Sequence, residues 1–369
     1  MLQSPRYVLL LSVLSMLGLS LIFVFSSTAG SAGQTWTLTK HAVSIAIGIL
    51  VMWLFMNADY RDLRRFTKVA VFVAAALLLY VLLNGAKING AKRWILLGPL
   101  SFQPSELAKI VFVVYFADFF TRKQEIVREF WSGFFPAVVM AGLCLAMIVF
   151  EPDLGTTILL GAVIFGMLLV AGFRLAHVVP TLVVVAIVMG ALMVFKFAHS
   201  SGRLDTFMKG EYDYQVSQAL IALGSGGLSG TGLGEGLQKL NYVPLATTDF
   251  AFSVIGEEAG LLGTGTVALL YLALGMCGLA IARRAKDTFG QLMACGLTCL
   301  FIGQAIINMF VVTGLFPNKG IALPFISAGG SAMVFMLAGA GILLSVGKIA
   351  EQEGEPAVVG GRLRMPEAA

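Results

Sequence analysis

The stretch TTDFAFSVIGEE, Thr247–Glu258, opens an apolar run that continues to about residue 281 and sets an aspartate at its mouth. A run of that length crosses a bilayer as a helix, and a carboxylate at its end is costly unless it has a task there. The pattern recurs in both directions. Apolar runs of spanning length lie near residues 8–26, 41–56, 69–84, 104–120, 134–150, 156–172, 176–197, 250–281, 289–313 and 326–348. Composition agrees: of 369 residues 58% are hydrophobic and 12% charged, with a mean hydropathy of +0.90, outside the range of ordinary soluble domains. The predicted fold class is an all-α polytopic membrane protein of about ten transmembrane helices. One transmembrane domain, 1–350, carries a large extracytoplasmic loop at 198–249, and 351–369 reads as a disordered cytoplasmic tail.

The first run follows Arg6 and precedes STAGSAG, as a signal peptide would, but it is long for a signal core and many spans follow it. An even number of spans puts both termini on one side. Of the 25 Lys and Arg, fifteen fall in the tails and the loops on the N-terminal side, nine lie opposite, and Lys109 sits inside a helix. Both termini are therefore predicted to be cytoplasmic, and the net charge of +5 is a topology signal that calls for no nucleic acid.

Cys144, Cys277, Cys295 and Cys299 all fall in apolar runs and read as buried thiols. Cys295 and Cys299 share a helix face, yet nothing completes a zinc set, so neither a disulfide nor a structural metal is expected. The glycine-rich GSGGLSGTGLGEG at 224–236 fits neither the dinucleotide fingerprint nor the P-loop. It reads instead as backbone bending sharply in a confined space.

Polar residues collect on the outer side, in loops 84–105, 198–249 and 314–325 and in the turn FEPDLG at 150–155. A transporter more often places them at mid-membrane, in broken helices. Loop 198–249 is too long for a mere connector, and its amphipathic run YDYQVSQALIAL at 212–223 is suited to folding back on the membrane.

Five blocks, in this order, carry a resemblance: GAKRWILLGPLSFQPSELAK at 90–109, EPDLGT at 151–156, YQVSQALIALGSGGLSGTGLG at 214–234, the aspartate block, and GLFPNKGIALPFISAGGS at 314–331. On them the chain resembles the SEDS family (shape, elongation, division and sporulation), polytopic enzymes that polymerise lipid II into peptidoglycan. The QKL at 238–240 and VVTGLFPNKG at 311–320 look more like the division branch, FtsW, than the elongation branch, RodA. The family's usual Pro-Glu-Ala-His-Thr-Asp-Phe run is altered: Leu245 and Thr247 stand where it has Glu and His, and Ala328 replaces a usual aromatic. A mechanism needing a second carboxylate or an imidazole beside the aspartate finds neither there.

The resemblance implies the chemistry. The 4-hydroxyl of one lipid-linked disaccharide attacks the anomeric carbon of another at the outer leaflet, and undecaprenyl pyrophosphate leaves. Pyrophosphate is a good leaving group, so no acid is needed for it, in contrast to most glycosidases. One carboxylate and several cations suffice. Asp249 aligns with the family's catalytic aspartate and takes the role of base, although its position also suits an N-cap of the following span. Arg93, Lys109 and Lys92 are the diphosphate candidates. Glu106 can pair with Lys109 at i, i+3. Asp153 either caps the next helix or holds a basic partner, and Lys239, Lys319 and Ser331 complete the substrate-binding set.

No cofactor is required by the sequence, and a divalent cation, Mg or Mn, on the diphosphate stays open. The family implies a class B penicillin-binding protein as transpeptidase partner, together with other divisome proteins, because the chain has no Ser-x-x-Lys acylation motif of its own. The expected location is the bacterial cytoplasmic membrane, at the septum. The rival readings are a RodA-like elongation polymerase, a lipid II flippase and a secondary transporter; the last predicts internal repeats, which the sequence does not display.

Overall fold

The computed structural model describes residues 4–28, 34–88, 91–98, 100–151, 153–192, 212–237, 247–318, 320–354, 358–359 and 362–363. Helices occupy all ten expected places. They are α1 (Pro5–Thr28), α2 (Gln34–Asn57), α3 (Leu63–Asn84), α4 (Pro104–Arg122), α5 (Phe135–Phe150), α6 (Leu154–Val170), α7 (Leu175–Leu192), α9 (Ala251–Arg284), α10 (Thr288–Val312) and α11 (Gly330–Gly354), with a shorter α8 (Tyr214–Gly226) between the seventh and the ninth. In lipid a backbone must satisfy its own hydrogen bonds, which is why apolar runs of this length settle as helices.

Among the described residues, seven of these helices are long and apolar enough to cross a membrane. The three other long ones differ for local reasons: α6 and the described part of α7 are shorter apolar helices, and α4 carries Glu106, Lys109, Asp118 and Arg122. Helix α4 tolerates those charges because it lies inside the bundle, against α3, α6, α10 and α11, with Phe112, Phe116 and Phe120 fully buried. Elsewhere small residues let helices close up. At the α2–α11 contact a side chain on Gly341 would strike the main chain of Met52, and one on Gly48 the side chain of Leu337.

Three boundaries depart from the sequence reading. The span expected from 326 begins only at Gly330, because 324–327 form a turn, and α11 runs on to Gly354, so the tail is helical at its start. Loop 84–105 is not irregular: it folds as a three-stranded antiparallel sheet, β1 (Ala86–Ile88), β2 (Ala91–Leu97) and β3 (Leu100–Phe102). Ala86 faces Trp94 across the first pair and Ile95 faces Phe102 across the second. The sheet presents Lys92 and Arg93 and delivers the chain directly into α4.

The third departure is in α9, which is broken at Gly260 (φ 64°, ψ −157°). A break inside an apolar helix frees main-chain groups that lipid cannot satisfy. Here the glycine-rich segment after α8 satisfies them. Thr231 N donates to Glu257 O at 2.9 Å and Gly232 N to Glu258 O at 3.1 Å, while Leu261 N and Leu262 N donate to Gly227 O at 2.9 Å and Leu228 O at 3.2 Å. Gly227, Gly230, Gly232 and Gly234 all adopt positive φ, the bending in a confined space that the sequence suggested. A side chain on Gly260 would meet the Leu228 carbonyl oxygen at 2.6 Å. A broken helix, which the sequence reading associated with transporters, is therefore present, and these four main-chain groups are closed by the chain's own loop.

A candidate active site at the outer end of the bundle

Asp249 lies in the turn 247–250 that leads into α9 and is half-buried. The N-cap position of that helix is taken by Phe250, which makes no side-chain capping bond, so the aspartate stands one residue outside the cap. Its Oδ2 is 3.0 Å from where a β-carbon on Gly320 would sit, so the carboxylate rests against bare backbone. Its main chain is held as firmly. Asn308 Nδ2, on α10, donates to Asp249 O at 2.7 Å. Ser327 Oγ donates to Thr248 O at 2.5 Å, and Ala328 N to Thr247 O at 2.7 Å.

Beside it runs the segment 321–328, a strap whose carbonyls are gripped by side chains from three helices, α1, α9 and α10. Asn308 Nδ2 donates to Ile321 O at 2.7 Å, Gln304 Nε2 to Ala322 O at 2.8 Å, and Ser20 Oγ to Ile326 O at 2.5 Å. The hydroxyl of Tyr271 donates to Pro324 O, and Leu323 N donates to Ser327 Oγ at 2.8 Å. Within the strap Phe325 has φ 63°, a left-handed conformation that a bulky residue adopts only under constraint. Its ring packs edge-on against Phe301, centroids 5.1 Å apart. Strain held by this many bonds marks a segment whose shape is specified.

Lys109 is 1% exposed, one of the largest fully buried side chains in the molecule. Its Nζ lies 2.8 Å from Glu106 Oε2 and donates to Gln304 Oε1 at 2.8 Å. The contact to Glu106 is an ion pair by distance, with no well-aligned hydrogen bond at that oxygen. Since Gln304 passes the constraint to Ala322 O, and Asn308 one turn later reaches Asp249 O, a bonded line runs from Glu106 and Lys109 through one face of α10 to the strap and the aspartate.

Arg93 belongs to a second cluster. Its Nε donates to Glu151 O at 3.0 Å. The Glu151 side chain is fully buried, and its carboxylate oxygens have no hydrogen-bond partner among the described residues. Burial, then the neighbouring Asp153 charge, push its pKa up to about 8, with Arg93 pulling the other way. Asp153 caps α6: Oδ1 accepts from Thr156 N at 3.2 Å and Oδ2 from Thr156 Oγ1 at 2.9 Å. Of the two roles open to Asp153, the cap is the one its bonds display.

The other sequence candidates fall as follows. Lys92 is exposed on β2, its Nζ donating to Leu83 O at 3.1 Å. Ser331 Oγ accepts from Gln103 N at 3.1 Å, tying the start of α11 to the start of α4. Lys239 and Lys319, and the altered position Leu245, lie outside the described residues. Sequence reasoning passed over Gln304, Asn308, Ser327 and Glu151, and also the buried pair Glu257 and Glu258. Leu237 N donates to Glu257 Oε1 at 2.7 Å and Ser26 Oγ to Glu258 Oε1 at 2.5 Å. A signal existed for two of them: Gln304 and Asn308 stand at i, i+4 in the otherwise apolar stretch 300–312 of α10, a costly placement in lipid.

Comparison with known proteins bears on the same architecture. The family profile for cell cycle proteins of the FtsW, RodA and SpoVE group matches residues 6–352. The chain is 37% identical over 351 residues to a probable peptidoglycan glycosyltransferase FtsW of Trichlorobacter lovleyi, covering 92% of each. It is 36% identical over 358 residues to the stage V sporulation protein E of Bacillus subtilis, covering 94% of this chain and 97% of that one. Among solved structures it resembles a chain of a peptidoglycan synthase complex that coordinates polymerization and crosslinking, with a TM-score of 0.78 and 26% identity over 93% of this chain and 98% of that one. It also resembles the rod shape determining protein RodA of Thermus thermophilus, with a TM-score of 0.68 and 25% identity over 92% and 95%.

Proposed function

Because the chain belongs to the FtsW–RodA–SpoVE family of cell cycle proteins, we infer that it is a peptidoglycan glycosyltransferase of the FtsW type, joining lipid II units into glycan strands. The observation that carries the reading is the placement of Asp249. Its half-buried carboxylate stands at the outer end of the bundle, the backbone pinned by Asn308 and Oδ2 against Gly320.

In the step proposed, the 4-hydroxyl oxygen of one lipid II forms a bond to the anomeric carbon of the growing strand. The anomeric carbon–oxygen bond to undecaprenyl pyrophosphate breaks, the pyrophosphate takes the bonding pair, and the hydroxyl proton goes to Asp249. The carboxylate acts as general base. Arg93, fixed on β2 by the Glu151 carbonyl, supplies charge to the departing diphosphate, with Lys92 at the exposed rim beside it. Lys109 is a positioning residue, shaping the strap through Gln304. Lys239, Lys319 and Ser331 belong to the lipid II contact surface in this proposal. A Mg or Mn ion on the diphosphate is compatible with the scheme, and no step depends on it.

A class B penicillin-binding protein is the proposed partner, since the peptidoglycan synthase complex resembled here couples polymerization to crosslinking. The FtsW naming of the relatives supports a place at the division septum. Purified protein incubated with lipid II, alone and with a class B penicillin-binding protein, tests the reading. Glycan strands resolved on a gel, with release of undecaprenyl pyrophosphate, are expected. Translocation of lipid II across vesicles with no polymer would replace the enzyme by a flippase.

A further inference from the structure

A concentration of positive charge lies away from this site, at the cytoplasmic ends of α3 and α4. Arg64, Arg65, Thr67, Lys68, Asp118 and Arg122 line a cavity of about 380 Å³. Four cations face one carboxylate there. Asp118 is buried and already shared: Arg64 Nε lies 3.1 Å from Oδ1, an Arg122 amino nitrogen lies 2.6 Å from Oδ2, and Thr67 Oγ1 donates to Oδ2 at 3.1 Å. One anion with two guanidinium partners is neutralised and orders both. Arg65 has only a surface pair with Asp62 at 3.5 Å, and Lys68 has neither an ion pair nor a hydrogen bond among the described residues. Exposed surface pairs of that kind hold little. The cavity thus keeps an excess of positive charge, arranged on a rigid carboxylate hub.

The sequence of α3 says what kind of anion fits. Arg65, Lys68, Val69 and Phe72 stand at i, i+3, i+4 and i+7, one stripe of a helix. Its lower half is cationic and its upper half is exposed apolar surface, with Val69 62% and Phe72 75% accessible. A soluble anion would use the first half and leave the second idle. A phospholipid uses both: its phosphate sits among the cations at the membrane edge while its acyl chains lie along Val69 and Phe72. The charge count places this end of α3 in the cytoplasmic leaflet, where anionic lipids gather and basic clusters attract them.

We propose that the cavity between α3 and α4 is a binding site for an anionic phospholipid of the inner leaflet, its phosphodiester held by Arg65, Lys68, Arg64 and Arg122. Binding there clamps the inner ends of the two helices, and α4 is the helix that carries Glu106 and Lys109 toward its other end.

Native mass spectrometry of the purified protein in detergent tests this with phosphatidylglycerol, cardiolipin and phosphatidylcholine, and with glycerol 3-phosphate as a soluble competitor. The informative variant is Arg65→Ala with Lys68→Ala, which leaves the Asp118 cluster intact. The control is Arg128→Ala, an exposed cation in the loop between α4 and α5, near the same end of the bundle but outside the cavity. Wild type should retain phosphatidylglycerol or cardiolipin in preference to phosphatidylcholine. The double variant should lose about 30-fold in anionic-lipid affinity, the scale for removing two headgroup cations, with an unchanged melting temperature. The control should bind as wild type does. Equal retention by the double variant, an equal loss in Arg128→Ala, or no preference for anionic lipid would each overturn the site. Displacement of the lipid by equimolar glycerol 3-phosphate would assign the cavity to a soluble phosphate and overturn the lipid.

Discussion

One amide nitrogen of Asn308 ties Asp249 to the strap beside it, lying 2.7 Å from the Asp249 carbonyl oxygen and 2.7 Å from that of Ile321. The two bonds fix the separation of the Asp249 turn from the strap. Asn308→Asp replaces the donor by an acceptor facing two carbonyls, so the strap and the turn should part. Polymerisation should fall by about 10²-fold through kcat, with KM for lipid II little changed, since small misplacements of a reacting group cost on that scale. A variant that loses KM instead would make Asn308 a substrate contact.

The buried pair of Glu106 and Lys109 makes a different test. Lys109→Met alone strands a carboxylate in the bundle, and breaking such a pair costs about 3–5 kcal/mol. Glu106→Leu with Lys109→Met removes both charges and should recover most of that stability in detergent unfolding. Its polymerisation should stay at least tenfold low, because Gln304 Oε1 loses the donor at 2.8 Å that orients it toward the strap. Full activity in the double variant would reduce the pair to packing.

Glu151 predicts a pH dependence. Its folded pKa of about 8 lies above the ordinary 4.5, mainly through burial, so the folded protein binds more protons than the unfolded chain between those values. Stability from this group is complete below pH 4.5 and is lost as pH rises to about 8, by at most ~1.4 kcal/mol per pH unit. The curve levels above that. Glu151→Gln should flatten this slope, and melting temperatures measured from pH 5 to 9 would show it. Parallel curves for the two proteins would place the titration elsewhere.

The spans were legible because lipid leaves an apolar run of that length only one way to fold, and each expected run holds a helix. The sheet after α3 was passed over, although the Asn89–Gly90 pair between Ile88 and Ala91 is a hairpin signal. The break in α9 is harder to see: Glu257, Glu258 and Gly260 interrupt the run, but Leu261 and Leu262 resume it at once, and it is the distant Gly227–Gly232 segment that makes the break affordable. Asp249 was found through the resemblance. The strap was not, because its work is done by main-chain carbonyls, held by Ser20, Tyr271, Gln304 and Asn308, which are remote in sequence.

Asp249 itself separates catalysis from architecture under one substitution. Asp249→Asn preserves shape, and the bond from Asn308 goes to its main-chain oxygen, which the change does not touch. The helix start should also survive, since the N-cap position is Phe250. What disappears is the proton acceptor. The variant should therefore be produced normally, melt within a few degrees of the parent and bind lipid II and its partner as before. It should polymerise slower by roughly 10² to 10⁴-fold, the span attributed to general-base catalysis. Leu245 and Thr247 stand where the family has Glu and His, so no titrating neighbour at those positions is available to take over. Glycan synthesis near the parental rate by Asp249→Asn would remove the base from this position and shift the role to the buried carboxylates Glu257 and Glu258, eight and nine residues further along the chain, inside α9.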